Sequence, residues 1–396
     1  MPMGKNIVIG VTGGIAVYKA LDLISKFKKE DFEVNVIMTK AACEFVNPIT
    51  FQSISQNLVA VEMFEEPVSY EIRHISLAKK ADLFIVVPAT ANFIGKLANG
   101  IADDLLTTTI MATRAKVVIA PAMNTNMYTN PIVQENIEKL KALGYMFVAP
   151  EEGRLACGDV GIGKLASIDT IFQYALSSMC DKKDLCGKKV LVTAGPTIAS
   201  IDPVRYITNR SSGKMGYAIA KEARDRGAKV TLISGPTSLE DPFDIEVVHI
   251  KTNDEMLKAI LDIYDKMDIV IKAAAVADFR IKEYNTQKIK KSKEPVSLDF
   301  VLDTDILKLL GEKKGKQILI GFAAESENLL QNAKIKLKSK NLDYIVANNI
   351  TFSDSGFDSE DNKVTIIDKD EVITKLDKMS KKDVSEKLFD IIATRL

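Results

Sequence analysis

Cys157 stands in a glycine-rich stretch, Gly153-Arg154-Leu155-Ala156-Cys157-Gly158-Asp159, with Gly161 and Gly163 close behind. No apolar period runs through it, so it reads as an exposed, mobile loop rather than a helix or strand. A thiol there could swing over a bound ligand and deliver a proton, although alone it reads more readily as an incidental surface cysteine. Three further segments alter that balance. Gly10-Val11-Thr12-Gly13-Gly14-Ile15-Ala16 joins a strand to a helix, where glycines let the backbone approach a phosphate and the helix start offers N–H groups. Its spacing is not GxGxxG, so a dinucleotide is not the default. Val87-Pro88-Ala89-Thr90-Ala91-Asn92 and Ala120-Pro121-Ala122-Met123-Asn124 each follow an apolar strand. Ligands of open α/β sheets bind beyond the carboxyl ends of strands, so these two ends with the glycine turn favour a ligand pocket over mere packing turns.

Cations mark the second half. Residues 193–216 gather Arg205, Asn209, Arg210, Ser211, Ser212 and Lys214 around glycines, a set suited to phosphate at a strand–helix junction. Lys272-Ala273-Ala274-Ala275-Val276-Ala277-Asp278 leaves a strand into small residues that let a flat base approach the backbone, and Asp278 could accept from a ribose hydroxyl. Lys288-Ile289-Lys290-Lys291-Ser292-Lys293 is a dense basic run whose plain reading is a solvated face or a nucleic-acid patch. Lys336 and Lys340 share one face of any helix, as an ordinary exposed face or a second phosphate clamp.

The elements that must position these groups alternate strand and helix. Strand-like runs fall at 6–12, 33–38, 81–88, 116–120 and 145–149, several apolar throughout, as in parallel sheets covered on both faces. The clearest helix takes Asn130 as cap and Pro131 as its first residue, marks a face with Ile132, Val133, Ile137, Leu140 and Leu143, and ends at Gly144. After the polar residues 178–188 the pattern restarts. Strands follow at 189–195, 229–234, 246–250, 268–273, 317–322 and 343–347, then a hairpin of 364–367 with 371–374, then a helix at 383–396. The expected fold is α/β, two Rossmann-like three-layer domains spanning 1–184 and 185–396.

Composition narrows the classes. A chain of 396 residues, 46% apolar, can bury two cores. Lys+Arg and Asp+Glu balance at 53 each, so there is no global footprint for nucleic acid or an anionic membrane. Four cysteines without CxxC spacing, with His74 and His249 as the only histidines, argue against a disulfide framework or a zinc centre and for a reducing cytoplasm. No apolar run of ~18 residues is present to span a membrane, and the first strand follows without a signal-peptide core.

In this order, GGIA, PATAN, PAMN and GRLACGD resemble the homo-oligomeric flavin-containing cysteine decarboxylases, the phosphopantothenoylcysteine decarboxylases above all, over roughly residues 4–180. The resemblance implies FMN, held by Gly13, Gly14, Ile15, Pro88, Thr90, Ala91 and Asn92, with Thr39 added for its place after the second strand. FMN would oxidise the substrate's thiol end to a thioaldehyde, giving the electrons left by departing CO₂ a sulfur sink. By the same resemblance Asn124 binds the substrate carboxylate, His74 assists at the thiol end, and Cys157 protonates the resulting enethiol.

DPVRYITNRSSGKMG, AAAVADFR and KIKK resemble the phosphopantothenate–cysteine ligases, and fused behind the decarboxylase they match the bifunctional enzymes of coenzyme A synthesis. This implies CTP activation of 4′-phosphopantothenate, an acyl-cytidylate, and attack by cysteine with release of CMP. CTP would meet Lys272, Ala273, Ala274, Asp278, Lys288, Phe322, Lys336 and Lys340, with Lys288 at the α-phosphate. Asn209 would bind the acyl-cytidylate, and Arg205 and Arg210 are candidates for the substrate phosphate or a dimer contact. Mg²⁺ is expected with the triphosphate, its protein ligand unassigned. Two stretches depart from the family: Ile198-Ala199-Ser200 stands where Arg-Glu is usual. Asp303-Thr304-Asp305-Ile306, also expected at the nucleotide, replaces Asn-Pro-Asp-Ile. The resemblance also implies trimer-based flavin domains and dimeric ligase domains. Two other classes stay open: a regulatory flavoprotein that binds a partner such as a phosphatase, and a nicotinamide dehydrogenase, which would lack its GxGxxG fingerprint here.

Overall fold

Runs such as Ile7-Val8-Ile9 present apolar side chains to both faces of a strand and need cover on both. In the computed structural model, which describes residues 5–64, 72–290, 297–325, 327–349 and 361–396, they receive it. The chain divides into two compact units, Met1–Cys180 and Asp181–Leu396. The division precedes the expected boundary because Lys182 pairs with Glu386 and Asp390 at 3.2 and 2.7 Å, and Asp184 with Arg226 at 3.0 Å. Arg226 is itself fully buried and also holds Glu222 and Asp390, both at 2.7 Å.

The first unit carries a parallel sheet of β1 (Asn6–Val11), β2 (Glu33–Met38), β3 (Leu83–Ala89), β4 (Lys116–Pro121) and β5 (Met146–Phe147), in the order β2-β1-β3-β4-β5. Ile7, Ile9 and Val11 pack with helices Lys19–Lys29 and Ile168–Ser178, through Phe27 and Phe172. Val8, Phe84 and Val86 face the opposite core with Leu105, Leu106 and Ile110. Three layers result.

Two local expectations need correction. Helix Pro131–Ala142 buries Ile137 and Leu140 and packs Val133 against the core, but Ile132 and Leu143 at its ends are exposed. The stretch around Cys157 is a hairpin with a short tip. β6 (Glu151–Arg154) and β7 (Val160–Lys164) pair antiparallel, and Leu155 N–H to the Asp159 carbonyl at 2.8 Å closes the turn.

In the second unit β8 (Lys189–Ala194) does not run straight into its helix. A small antiparallel pair, β9 (Ile198–Ser200) and β10 (Tyr206–Thr208), intervenes before helix Lys214–Asp225. The main sheet adds β11 (Lys229–Ser234), β12 (Glu246–His249), β13 (Ile269–Lys272), β16 (Ile318–Glu325), β17 (Tyr344–Asn349), β19 (Val364–Asp368) and β20 (Ile373–Lys375). Its order is β12-β11-β8-β13-β16-β17-β19-β20, parallel through β17 and antiparallel beyond. Two further pairs are β14 (Phe279–Ile281) with β15 (Phe300–Leu302) and β18 (Asp361–Asn362) with β21 (Met379–Ser380). Val190 and Val192 face one core, Leu191 the other. Among the described residues no helix is long and apolar enough to cross a membrane.

Candidate active sites

At the carboxyl ends of β1 and β3 one threonine ties the loops together. The Thr12 hydroxyl donates to the Pro88 carbonyl at 2.7 Å and accepts from Thr90 N–H at 3.0 Å. The Val87–Pro88 peptide is cis. Thr90 caps helix Ala91–Ala98, and Thr39 caps the turn Lys40–Cys43 that follows β2. A Cβ at Gly13 would lie 2.7 Å from the Ala41 backbone, so only glycine lets that turn pass beneath the next loop. Gly14, by contrast, has nothing nearer than the Thr90 methyl at 3.9 Å. Glycine backbone, open space and hydroxyls converge at one sheet edge, a donor set that fits a flavin's phosphate and ring edge.

Beyond β4, Asn124 caps the turn Thr125–Tyr128, its Oδ1 accepting Asn126 N–H at 2.8 Å. That fixes its amide group toward the hairpin tip. Nδ2 donates to Cys157 Sγ at 3.4 Å and to Asp159 Oδ2 at 3.2 Å, and the Cys157 thiol donates to the same Asp159 oxygen at 3.3 Å. The glycines behind Cys157 explain how the tip reaches Asn124. A Cβ at Gly161 would meet Thr125 Oγ1 at 2.6 Å, and one at Gly163, where φ is +132°, would meet the Met123 carbonyl at 2.3 Å. Met123 N–H donates to the Gly163 carbonyl at 3.0 Å, sealing β7 against the β4 exit. Cys157 remains exposed.

His74 lies half-buried in the first turn of helix Arg73–Lys80. Among the described residues no hydrogen bond links it to Asn124, Cys157 or Asp159.

The second unit holds a cavity of about 700 Å³. Its lining includes Asn209, Arg210, Ser211, Ser212, Lys272, Ala273, Ala274, Asp278, Phe322, Lys336 and Lys340, together with the stretch Asp303-Thr304-Asp305-Ile306. The turn after β13 is held open beside β8: Thr193 and Thr197 hydroxyls accept Ala274 and Ala277 N–H at 3.2 and 2.9 Å. Asn209 Nδ2 donates to the Val276 carbonyl at 2.8 Å, joining the two motif loops. Gly216 lets helix Lys214–Asp225 lie against β8, since a Cβ there would meet Ala194 Cβ at 2.5 Å.

Charge inside this cavity is balanced locally. Lys340 pairs with Asp305 at 2.8 Å and Lys336 with Glu325 at 2.6 Å. Asp305 also caps helix Ile306–Lys313 through Lys308 N–H at 3.0 Å. Burial pushes the Lys272 ammonium down to about 8, with nearby Asp305 opposing and Lys340 reinforcing the shift. Burial alone would raise Asp305, yet the Lys340 hydrogen bond holds its carboxyl below the usual range.

Lys288 and Arg205 fall outside the cavity lining. Lys288 is exposed, and Lys291, Ser292 and Lys293 lie outside the described residues. The Arg205 guanidinium is engaged by Asp202 at 2.9 Å and by the Ile289 carbonyl at 3.2 Å. Ile198-Ala199-Ser200 forms β9, whose Ile198 N–H donates to the Lys251 carbonyl at 2.8 Å. Sequence reasoning passed over Thr12, Asp159, Asp202 and Glu325. Asp159 was visible within the cysteine motif and Thr12 within the glycine turn, but their roles depend on partners far along the chain. Among the described residues no group of three His, Cys, Asp or Glu side chains could hold a metal ion.

Residues 1–179 match the flavoprotein family, and residues 185–396 match the DNA/pantothenate metabolism flavoprotein C-terminal domain. The chain is 50% identical to the coenzyme A biosynthesis bifunctional protein CoaBC of Bacillus subtilis, over 98% of this chain and 97% of that one. To the protein of the same name from Borreliella burgdorferi it is 45% identical, over 99% and 100%. A crystal structure of the C-terminal domain of coenzyme A biosynthesis bifunctional protein CoaBC is similar at 42% identity, covering 54% of this chain and 98% of that one with a TM-score of 0.47.

Proposed function

The chain belongs to the family of coenzyme A biosynthesis bifunctional proteins, and from that premise we propose that it makes 4′-phosphopantetheine from 4′-phosphopantothenate and cysteine. The ligase step falls to residues 185–396: CTP activates the carboxylate, and the cysteine amine displaces CMP from the acyl-cytidylate. Decarboxylation falls to residues 1–184. The observation that carries the reading is that one chain both sets the Cys157 thiol against the Asn124 amide and lines a basic cavity with Asn209, Lys272, Lys336 and Lys340.

In the ligase step the cavity lysines meet the triphosphate. Lys272 keeps its charge only on the acid side of about pH 8. Lys336 and Lys340 must exchange Glu325 and Asp305 for phosphate oxygens. Lys288 supplies charge at the α-phosphate, Asn209 holds the acyl-cytidylate, Asp278 takes the ribose, and Arg210 remains the candidate for the substrate phosphate. Mg²⁺ would accompany the nucleotide and offset its phosphate charge, its protein ligand unassigned.

FMN, when bound, supplies the two-electron redox chemistry that makes loss of CO₂ feasible. Gly13, Gly14, Ile15, Thr39, Pro88, Thr90, Ala91 and Asn92 would hold it. Asn124, its Oδ1 committed to a helix cap, presents Nδ2 to the substrate carboxylate. His74 serves the thiol end, and Cys157 delivers the final proton from the hairpin tip.

A homo-oligomer with dimeric ligase and trimer-based flavin domains follows the family resemblance, and exposed Tyr206, Phe279 and Phe300 in the second unit, with Tyr18, Phe45 and Ile49 in the first, offer apolar surface for self-association. Free cysteines support a cytoplasmic setting. A purely regulatory, partner-binding flavoprotein is not favoured, since its relatives over the full length carry the bifunctional biosynthetic name. The test is incubation with 4′-phosphopantothenate, cysteine, CTP and Mg²⁺, with products resolved by mass. Phosphopantetheine and CMP are expected; the appearance of neither would overturn the proposal.

A further inference from the structure

Resting on the ligase reading, we propose that Asp202 and Arg205 form a clamp that positions Lys288 for the activation step. Arg205 then acts through the basic segment rather than on the substrate's phosphate.

The Asp202 carboxylate is buried, with 2% of the residue exposed, and takes donors from two directions. Oδ1 accepts N–H from Val204 and from Arg205, each at 2.8 Å, closing the turn between β9 and β10. Oδ2 accepts Arg205 Nη1 at 2.9 Å and the Ile289 N–H at 3.1 Å. Both Arg205 terminal nitrogens donate to the Ile289 carbonyl at 3.2 Å. Ile289, the residue after Lys288, therefore has its N–H and its carbonyl held by one ion pair. A second tie lies just upstream, where Asn285 N–H donates to the Ile201 carbonyl at 3.1 Å.

Burial works against a charged carboxylate here. The N–H groups of Val204, Ile289 and Arg205, with the Arg205 cation, nonetheless hold Asp202 below its usual range. A carboxylate so fully satisfied is a fixed point. Lys288 is exposed and carries a long flexible stem, so the accuracy of its ammonium depends on where its backbone is held. The clamp fixes that backbone from a turn far away in sequence. Loss of the Arg205 side chain would release the Ile289 carbonyl and leave the segment held only through the Ile289 and Asn285 N–H groups.

The experiment uses the full chain as wild type, Asp202→Asn, Arg205→Met, Lys288→Gln and the two doubles with Lys288→Gln. Pyrophosphate release is measured against 4′-phosphopantothenate concentration. Each clamp variant should lower the saturated rate on the order of 10-fold, with KM for 4′-phosphopantothenate unchanged. Neither should lower the residual rate of Lys288→Gln further, because residues acting as one unit are not additive. An Arg205→Met variant with raised KM and an unchanged saturated rate would overturn the clamp in favour of direct phosphate binding. An equal fold-loss in the Lys288→Gln background would also overturn it. Should Asp202→Asn fail to fold, Arg205→Met decides alone, since it leaves the Oδ1 turn bonds in place. A wild type that releases no pyrophosphate would instead overturn the ligase reading, and the clamp with it.

Discussion

Asn124 Nδ2 lies 3.4 Å from Cys157 Sγ, although the two residues are 33 positions apart. One ends a sheet strand and the other tips a hairpin, and each is held by its own local turn. The amide that would bind the departing carboxylate is thereby adjacent to the thiol that would finish the reaction.

Cys157→Ser tests the thiol's timing. Size is nearly conserved, but an alcohol is a far weaker acid than a thiol and a poor proton donor. The variant should retain FMN and release CO₂, then give a product two hydrogens lighter than phosphopantetheine. Mass analysis after a single turnover checks this. Normal phosphopantetheine from the serine variant would remove Cys157 from the role, and loss of CO₂ release would place it earlier.

Gly163→Ala tests the seating of the hairpin. Its Cβ would fall 2.3 Å from the Met123 carbonyl, in a backbone with φ of +132°. The hairpin must shift, at a cost of about 1–3 kcal/mol to the first unit. We expect a lower Tm, retained FMN, and a raised fraction of the lighter product. Unchanged product ratios would mean that hairpin placement does not govern the last step.

Lys272 gives the ligase cavity a pH dependence. Burial holds its ammonium at about 8, against 10.5 ordinarily. Between these values the unfolded chain binds more protons than the folded one, so the stability penalty is present below about 8 and is relieved as pH rises toward 10.5. Lys272→Met should therefore stabilise the second unit near pH 7, by on the order of 1–3 kcal/mol. It should also weaken CTP binding. In the wild type, CTP affinity should fall as pH rises through about 8, and Lys272→Met should abolish that dependence. Calorimetric titration across this range checks both; equal pH slopes in the two proteins would refute the assignment.

Lys288→Gln and Asn209→Ala should separate the ligase half-reactions. Removing a cation from the charge developing at the triphosphate should block acyl-cytidylate formation, by about 10²–10³-fold. Asn209→Ala should form the intermediate and accumulate it. Parallel assays of pyrophosphate release and trapped acyl-cytidylate distinguish the two; equal loss of both steps in both variants would sink the roles.

Much of the fold was legible because buried parallel strands are largely apolar runs: those expected at 33–38 and 229–234 are the observed strands, and the one expected at 189–195 ends one residue earlier, at Ala194. Site segments were legible where they follow strand ends, as with Asn124 after β4 and Lys272 at the end of β13. What sequence could not carry were meanings set by distant partners. Gly161 and Gly163 looked like loop flexibility, yet they are small because Thr125 and Met123 lie against them. Nothing in the sequence set Asp202 apart, yet one of its oxygens serves Ile289, 87 residues on. Ile132 and Leu143 fit a helical period but stand at the helix ends and are exposed.

The most direct test of the bifunctional reading supplies the full chain with 4′-phosphopantothenate, CTP, Mg²⁺ and cysteine labelled at its carboxyl carbon. Pyrophosphate and labelled CO₂ are measured together. Equal amounts of both, matched by unlabelled phosphopantetheine, are predicted. Pyrophosphate without labelled CO₂, or label retained in the final product, would contradict it.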